Sequence, residues 1–371
     1  MKRILKEILL PAGMMASLIV GAGMFSLPYV FARSGFIAGA VYLLLMAFVM
    51  TETHISYAEV AEVSGNDSRF IGYAKKYLGK GGEIVGGISV VLGILITLTI
   101  YLALSASFIH LIAPGAPLIA AVVFFWISGS IMILSGIKKF AGLDILFFAA
   151  MAIITAIIAV LGPVFGNIHN FNVAPADIAG LLFPLAPALF ALSGRSAISP
   201  IRDYFSSGNY PKKNFRRAVA LGTFVPVLVY AAFVIGTTML SPNGVAEDAV
   251  SGLLLLPHAY IYLIGVLGFL SLITSYVFLG MEFKGIVERD LKFPVAIAAT
   301  VVIVIPILFY VAGLNNFLAL VGLAGGVFLA IESALVIMMR RAATLRHKPF
   351  DFILMAVFLA AMIYEAINFF S

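Results

Sequence analysis

The chain has 371 residues, 63% of them hydrophobic and only 11% charged, with a mean hydropathy of +1.13. That balance excludes a water-soluble domain and marks an integral membrane protein. Its net charge of +6 sits in the connections between apolar runs and implies no nucleic-acid partner, while the absence of cysteine excludes disulfides and thiol chemistry.

Eleven apolar runs of about 20 residues or more are long enough to span a bilayer. They lie at about residues 8–32, 36–62, 84–112, 117–136, 140–163, 176–200, 216–240, 257–285, 293–313, 316–339 and 350–370. No connection between them is long enough to fold as a soluble domain. Residues 1–371 therefore read as one all-α transmembrane domain: helices 1–5 over about 8–163, helices 6–10 over about 176–340, and helix 11 over about 350–370.

Of the 23 lysines and arginines, 21 fall on one side of this arrangement, leaving Arg33 opposite and Arg195 inside the sixth run. The positive-inside rule then predicts a multi-pass protein of the cell (inner) membrane with its N-terminus cytoplasmic and its C-terminus outside. A secretory signal is the rival reading of the N-terminus, because Lys2-Arg3 precede an apolar stretch and Val20-Gly21-Ala22 resembles a cleavage site. The apolar run continues past that site to Pro28, so the mature chain is expected to begin near Met1.

Two of the runs are interrupted. The first carries Gly21-Ala22-Gly23 and Pro28, and the sixth carries Pro184, Pro187, Ser193-Gly194 and Pro200. A helix broken at mid-membrane persists only where its backbone is buried in protein or lines a cavity, so the freed amides and carbonyls become ligand groups. The breaks fall in the first helix of each set of five and enter from opposite sides, which predicts a 5+5 inverted repeat with helix 11 added. Ordinary kinks are the plainer alternative, since Gly and Pro are common in membrane helices.

At these residues the chain resembles a known group. Val-Gly-Ala-Gly-Met-Phe-Ser-Leu-Pro (20–28) is similar to the first-helix signature of the amino acid/auxin permease family, within the APC superfamily. Phe190-Ala-Leu-Ser-Gly-Arg-Ser-Ala-Ile-Ser-Pro-Ile-Arg-Asp-Tyr204 resembles its sixth-helix segment. Glu52 with Phe70–Gly79, and Leu272–Gly280 in helix 8, agree. The likeness is greatest to bacterial hydroxy and aromatic amino acid permeases, and it runs through nearly the whole chain. It implies the leucine-transporter (LeuT) fold and cation-coupled amino acid uptake by alternating access, favouring neutral or aromatic substrates with sodium. A proton-coupled permease, an amino acid sensor on the same fold and a channel are the alternatives; no enzyme and no cofactor are implied.

The residues fit such a substrate. A zwitterion needs donors for its carboxylate and acceptors for its ammonium where fixed charge is costly. The half-helix starting near Met24 offers amides and a positive dipole end, and the carbonyls around Phe190–Ser193 offer acceptors. Gly21, Ala22, Gly23, Met24, Phe25, Tyr101, Phe190, Ser193 and Gly194 are the candidate substrate residues, the glycines because absence of a Cβ allows unusual dihedrals and close approach. Packing in the core or against lipid is the alternative for the aromatics, given 31 Phe and 14 Tyr.

The resemblance also implies roles at the coupling site. Glu52 would brace the broken helices by accepting from their amides, or carry a proton. Arg195, an ionisable residue inside the sixth run and next to Ser193-Gly194, reads by its own position as a gate, facing the cytoplasmic pathway or pairing with a carboxylate such as Glu52, Glu59 or Asp203. Possible bound sodium would sit between helices 1 and 8, on carbonyls of Ser17, Val20 and Ser271 and hydroxyls of Thr274 and Ser275, a hard-oxygen set that suits an alkali cation. Thr274 and Ser275 bonding to their own helix is the alternative. Met24 stands where a second sodium site of that fold takes an Asn, and a thioether is a poor ligand there. The five histidines lack metal-ligand spacing, and Gly21-Ala22-Gly23 lacks a dinucleotide-binding setting. Gly82-x-x-x-Gly86 and Gly322-x-x-x-Gly326 read as close helix packing, and residues 66–80 as an interfacial segment or a solvated loop.

Sidedness is checked by labelling. Cysteines introduced at Lys76 and Lys213 are expected to be protected from impermeant reagents in whole cells, while one at Asn243 is labelled. Labelling of all three in sealed cells would overturn the eleven-helix arrangement.

Overall fold

The computed structural model describes residues 2–64, 69–136, 143–168, 171, 178–253 and 255–370. Every regular element among them is helical. Helix α1 is bent by 53° between Leu5–Ile19 and Ala22–Ser34. It is followed by α2 (Phe36–Ser64), α3 (Phe70–Ile112), α4 (Leu118–Ser135) and α5 (Leu143–Phe165). Then come α6 (Gly180–Ser207, itself broken), α7 (Lys212–Leu240) and α8 (His258–Arg289). The last three are α9 (Val295–Val311), α10 (Phe317–Thr344) and α11 (Asp351–Phe370).

Among the described residues, eight helices are long and apolar enough to cross a membrane, or nine with the bent α1 as one span. The stretches Ala149–Phe165 and Val295–Val311 are shorter apolar helices. Together these eleven segments coincide with the eleven apolar runs of the sequence. The expected helix 3 is longer than its apolar run. It begins at Phe70 and bends at Gly79, whose φ of 69° and ψ of −158° suit glycine alone. Phe70–Leu78 is thus an extra helical stretch before the span proper. Lys138, Lys139 and His169 lie outside the described residues, as does the side chain of Asp144.

Close backbone contacts hold the bundle. A Cβ at Gly222 of α7 would lie 2.5 Å from the Ala12 carbonyl of α1, and one at Gly162 of α5 would lie 2.9 Å from Gly236 Cα of α7. Small residues at such crossings let membrane helices gain dispersion contacts where no hydrophobic force operates between them. Gly82 faces Ala74 and Leu78 across the α3 bend, and Gly322 and Gly326 of α10 face Glu365 of α11. The basic end is further tied by the buried Arg340–Asp351 pair between α10 and the start of α11.

Candidate functional site

Helix α1 unwinds after Ile19. Val20 turns to ψ 95°, Gly21 follows at φ −146°, ψ −157°, and helix resumes at Ala22. Helix α6 stops at Ala191 and restarts through a tight turn at Arg195–Ala197. The two breaks touch: a Cβ on Gly23 would lie 2.5 Å from Ala191 Cα. Glycine at 23 is therefore required for the approach of one backbone to another.

Two side chains bind the freed backbone. The Tyr230 hydroxyl of α7 lies 2.8 Å from the Ile19 carbonyl and 2.7 Å from the Ala191 carbonyl. A phenol has one proton, so the two carbonyls share it, and α1 and α6 are pinned to one point on α7. On the other side the Gly194 amide donates to His54 Nε2 at 3.1 Å, and His54 Nδ1 faces Thr223 Oγ1 at 3.1 Å. Thr223 gives its own proton to the Val219 carbonyl at 2.9 Å. Its oxygen therefore accepts from Nδ1–H, which fixes His54 as the neutral ring with its proton on Nδ1.

Among the described residues, the amides of Ala22 and Gly23 and the carbonyls of Leu192 and Ser193 take no internal partner. Of these residues Ala22, Gly23 and Ser193 line a cavity of about 150 Å³, while Leu192 is buried beside it. Its wall includes Ser17, Gly21, Ala22 and Gly23 from α1, Ile94, Thr97 and Tyr101 from α3, and Phe190, Ser193 and Arg195 from α6. Thr274, Ser275, Phe278, Leu279 and Glu282 of α8 and Glu332 of α10 close it. The Tyr101 hydroxyl sits beside the Ser275 side chain.

Not every expected residue reaches this wall. Met24 and Phe25 are fully buried behind it. Phe25 packs edge-on against Phe108 and Phe233, with centroids 5.1 and 5.4 Å apart, so it is a core aromatic and no cavity wall. Gly194 is held by His54, and a Cβ there would meet the Ile19 and Met15 side chains. Of the expected cation ligands, Ser17, Thr274 and Ser275 face the cavity, while Val20 and Ser271 are buried beside them. Thr274 donates to the Ser271 carbonyl at 2.9 Å.

The charged residues depart furthest from expectation. Arg195 pairs with Glu332 at 2.8 Å and lies 4.4 Å over the Phe70 ring. The three partners expected for it are engaged elsewhere: Glu52 with Lys348 at 3.5 Å, Glu59 with Arg216 at 3.2 Å, and Asp203 with Arg202 at 2.9 Å. Glu52 thus makes no bond to the broken helices, and His54, two positions on and on another face of α2, does so instead. A second cavity, about 290 Å³, is lined by Arg69, Asp203, Arg289 and Asp290 at the basic end. Burial raises the Asp290 carboxyl above its ordinary value, opposed by Arg69, Arg289 and Arg195. The two cavities share Arg195, Ser196, Phe278 and Glu282. Glu282 had a signal in the sequence: Ser271, Thr274, Ser275, Phe278 and Glu282 recur at helical spacing along one face of α8.

Tyr230→Phe tests the pin. It keeps the ring and removes the hydroxyl from two buried carbonyls, so it is expected to lower stability by about 1–3 kcal/mol. Thermal unfolding of the purified protein in detergent measures this, and an unchanged midpoint would show that the hydroxyl does not hold the breaks.

A family model described as the tryptophan/tyrosine permease family matches residues 5–364. The tyrosine-specific transport system 1 of Haemophilus influenzae is 23% identical over 293 residues, covering 75% of this chain and 72% of that protein. Among solved structures, MhsT in complex with L-phenylalanine superposes with a TM-score of 0.63 at 16% identity, over 99% of this chain and 98% of that one. The Eremococcus coleocola manganese transporter superposes with a TM-score of 0.64 at 13% identity, over 97% and 85%. At these identities the two structures show the fold, which is that of the LeuT-type transporters, as the sequence implied. The match over nearly the whole length, on a bundle of membrane helices with two of them broken at a common cavity, places the chain in the tryptophan/tyrosine permease family of transporters.

Proposed function

We propose that this permease carries aromatic amino acids by cation-coupled symport with alternating access. The observation that carries this reading is the composition of the cavity wall. Among the described residues, the unpartnered amides of Ala22 and Gly23 and the unpartnered carbonyl of Ser193 belong to residues that line one cavity, beside the apolar walls of Ile94, Phe190, Phe278 and Leu279. The amides suit a carboxylate, the carbonyl an ammonium, and neither adds a fixed charge to the membrane interior. The apolar walls suit a ring. Tyrosine transport by the Haemophilus influenzae relative and L-phenylalanine bound to MhsT support the substrate class.

Sodium is the coupling ion in this reading, held by carbonyls of Ser17, Val20 and Ser271 and by hydroxyls of Thr274 and Ser275. The Thr274 bond to the Ser271 carbonyl uses its proton and leaves its oxygen lone pairs for a cation. Proton coupling is the second reading, favoured by the buried Arg195–Glu332 pair on the cavity wall. The protein would lie in the cell membrane with its basic end cytoplasmic and its lipid-facing helices in direct contact with the bilayer.

Proteoliposomes given only a sodium gradient are expected to accumulate labelled tyrosine, and those given only a proton gradient are not. Thr274→Ala/Ser275→Ala removes two ligands and should erase the sodium effect on substrate affinity, of about 5- to 150-fold for a typical coupling, and by linkage the substrate effect on sodium affinity. Accumulation driven by protons alone and unaffected by the double substitution would replace sodium with the second reading. Binding without accumulation under either gradient would indicate a sensor.

A further inference from the structure

Glu282 is the charged wall residue that this site leaves without a partner. Among the described residues, its carboxylate has no hydrogen-bond or ion-pair partner, while it lines both cavities at their junction. The charged and titratable groups around it come from four other elements: Tyr57 of α2, Arg69 and Tyr101 at α3, Arg195 of α6 and Glu332 of α10. Arg195, the cation on the wall the two cavities share, is already engaged by Glu332 and stacked on Phe70.

The position of Glu282 along α8 gives the cavity a direction. Ser275 lines only the first cavity, together with the backbone breaks, and Glu282, at the junction with the second, is seven residues on, about 10 Å along the helix axis. Phe278 and Leu279 fill the interval on the same face. The cavity therefore runs from backbone amides and carbonyls, through apolar walls, to a carboxylate that only accepts hydrogen bonds when ionised. An aromatic amino acid seated with its zwitterion at the breaks and its ring along those walls presents its far edge to Glu282.

We propose that Glu282 accepts a hydrogen bond from a donor at the distal end of the substrate ring. The site then selects amino acids whose ring carries O–H or N–H, tyrosine and tryptophan, over phenylalanine. This rests on the aromatic amino acid reading above. Phenylalanine offers no donor, and a site built around a polar partner discriminates strongly against an analogue that lacks it. A hydrogen bond to a charged acceptor is worth enough to give about a 10- to 100-fold preference.

The test is equilibrium binding of tyrosine, tryptophan, phenylalanine and O-methyltyrosine to the purified full-length protein and to its E282Q and E282L variants. The wild type is expected to bind tyrosine and tryptophan about 10- to 100-fold more tightly than phenylalanine, with O-methyltyrosine as weak as phenylalanine. E282L should lose the preference while keeping its phenylalanine affinity, and E282Q should keep part of it because an amide oxygen still accepts. The wild-type series carries the test by itself should E282L fail to fold. Equal binding of tyrosine and phenylalanine by the wild type, or an undiminished preference in E282L, overturns the proposal. So does an E282Q protein that keeps the full preference but loses the pH dependence of uptake, since the carboxyl would then carry a proton. Failure of the wild type to bind any aromatic amino acid would instead remove the reading on which the proposal rests.

Discussion

Inside a bilayer, a backbone group released from a helix has no water to bond, and each such group left unmet costs several kcal/mol. Both α1 and α6 release such groups at the same depth, and the rest of the core is arranged around them. Helix α7 answers from one side with Tyr230, whose hydroxyl serves a carbonyl from each break. Helix α2 answers from the other with His54, which is oriented in turn by Thr223 of α7. A single helix therefore positions both responses. It lies close enough to do so because Gly222 puts no Cβ between it and α1.

The division between bonded and unbonded backbone then defines the site. Tyr230 and His54 satisfy the Ile19 and Ala191 carbonyls and the Gly194 amide. Among the groups that remain without an internal partner, the amides of Ala22 and Gly23 and the carbonyl of Ser193 belong to residues that line the cavity. Specific side-chain bonds thus remove some polar groups from contention and leave a small set, of both signs of dipole, facing one space.

Much of this was legible in the sequence because it is written in residues with strong local effects. Gly21-Ala22-Gly23 and Ser193-Gly194 loosen a helix locally, so both breaks and the eleven segments could be read directly, although Pro187 and Pro200 sit inside the helical pieces of α6. What could not be read depends on which helix faces which. Arg195 finds Glu332 on α10 rather than any acid nearer in sequence, and Glu52 lies beside Lys348 at the basic end instead of at the breaks. His54 carried no motif, since a single histidine accepting from an amide has no spacing to reveal it. Phe25 sits next to the Gly-x-Gly and so reads as a cavity wall, yet the tight turn after Ala22 directs it to Phe108 and Phe233.

The charges at the cavity junction follow the same logic as the backbone. One guanidinium and two carboxylates, Arg195, Glu332 and Glu282, share this wall, which leaves a net negative charge at mid-bundle when all are ionised. Arginine suits the position because its planar group can meet a carboxylate at its edge while lying on the Phe70 face, which an ammonium does less well. Glu332 is buried and has its cation; Glu282 has none and lies where the two cavities meet. Under the proposal above, that unpartnered carboxylate is the place on the wall where a donor on the cargo meets an acceptor.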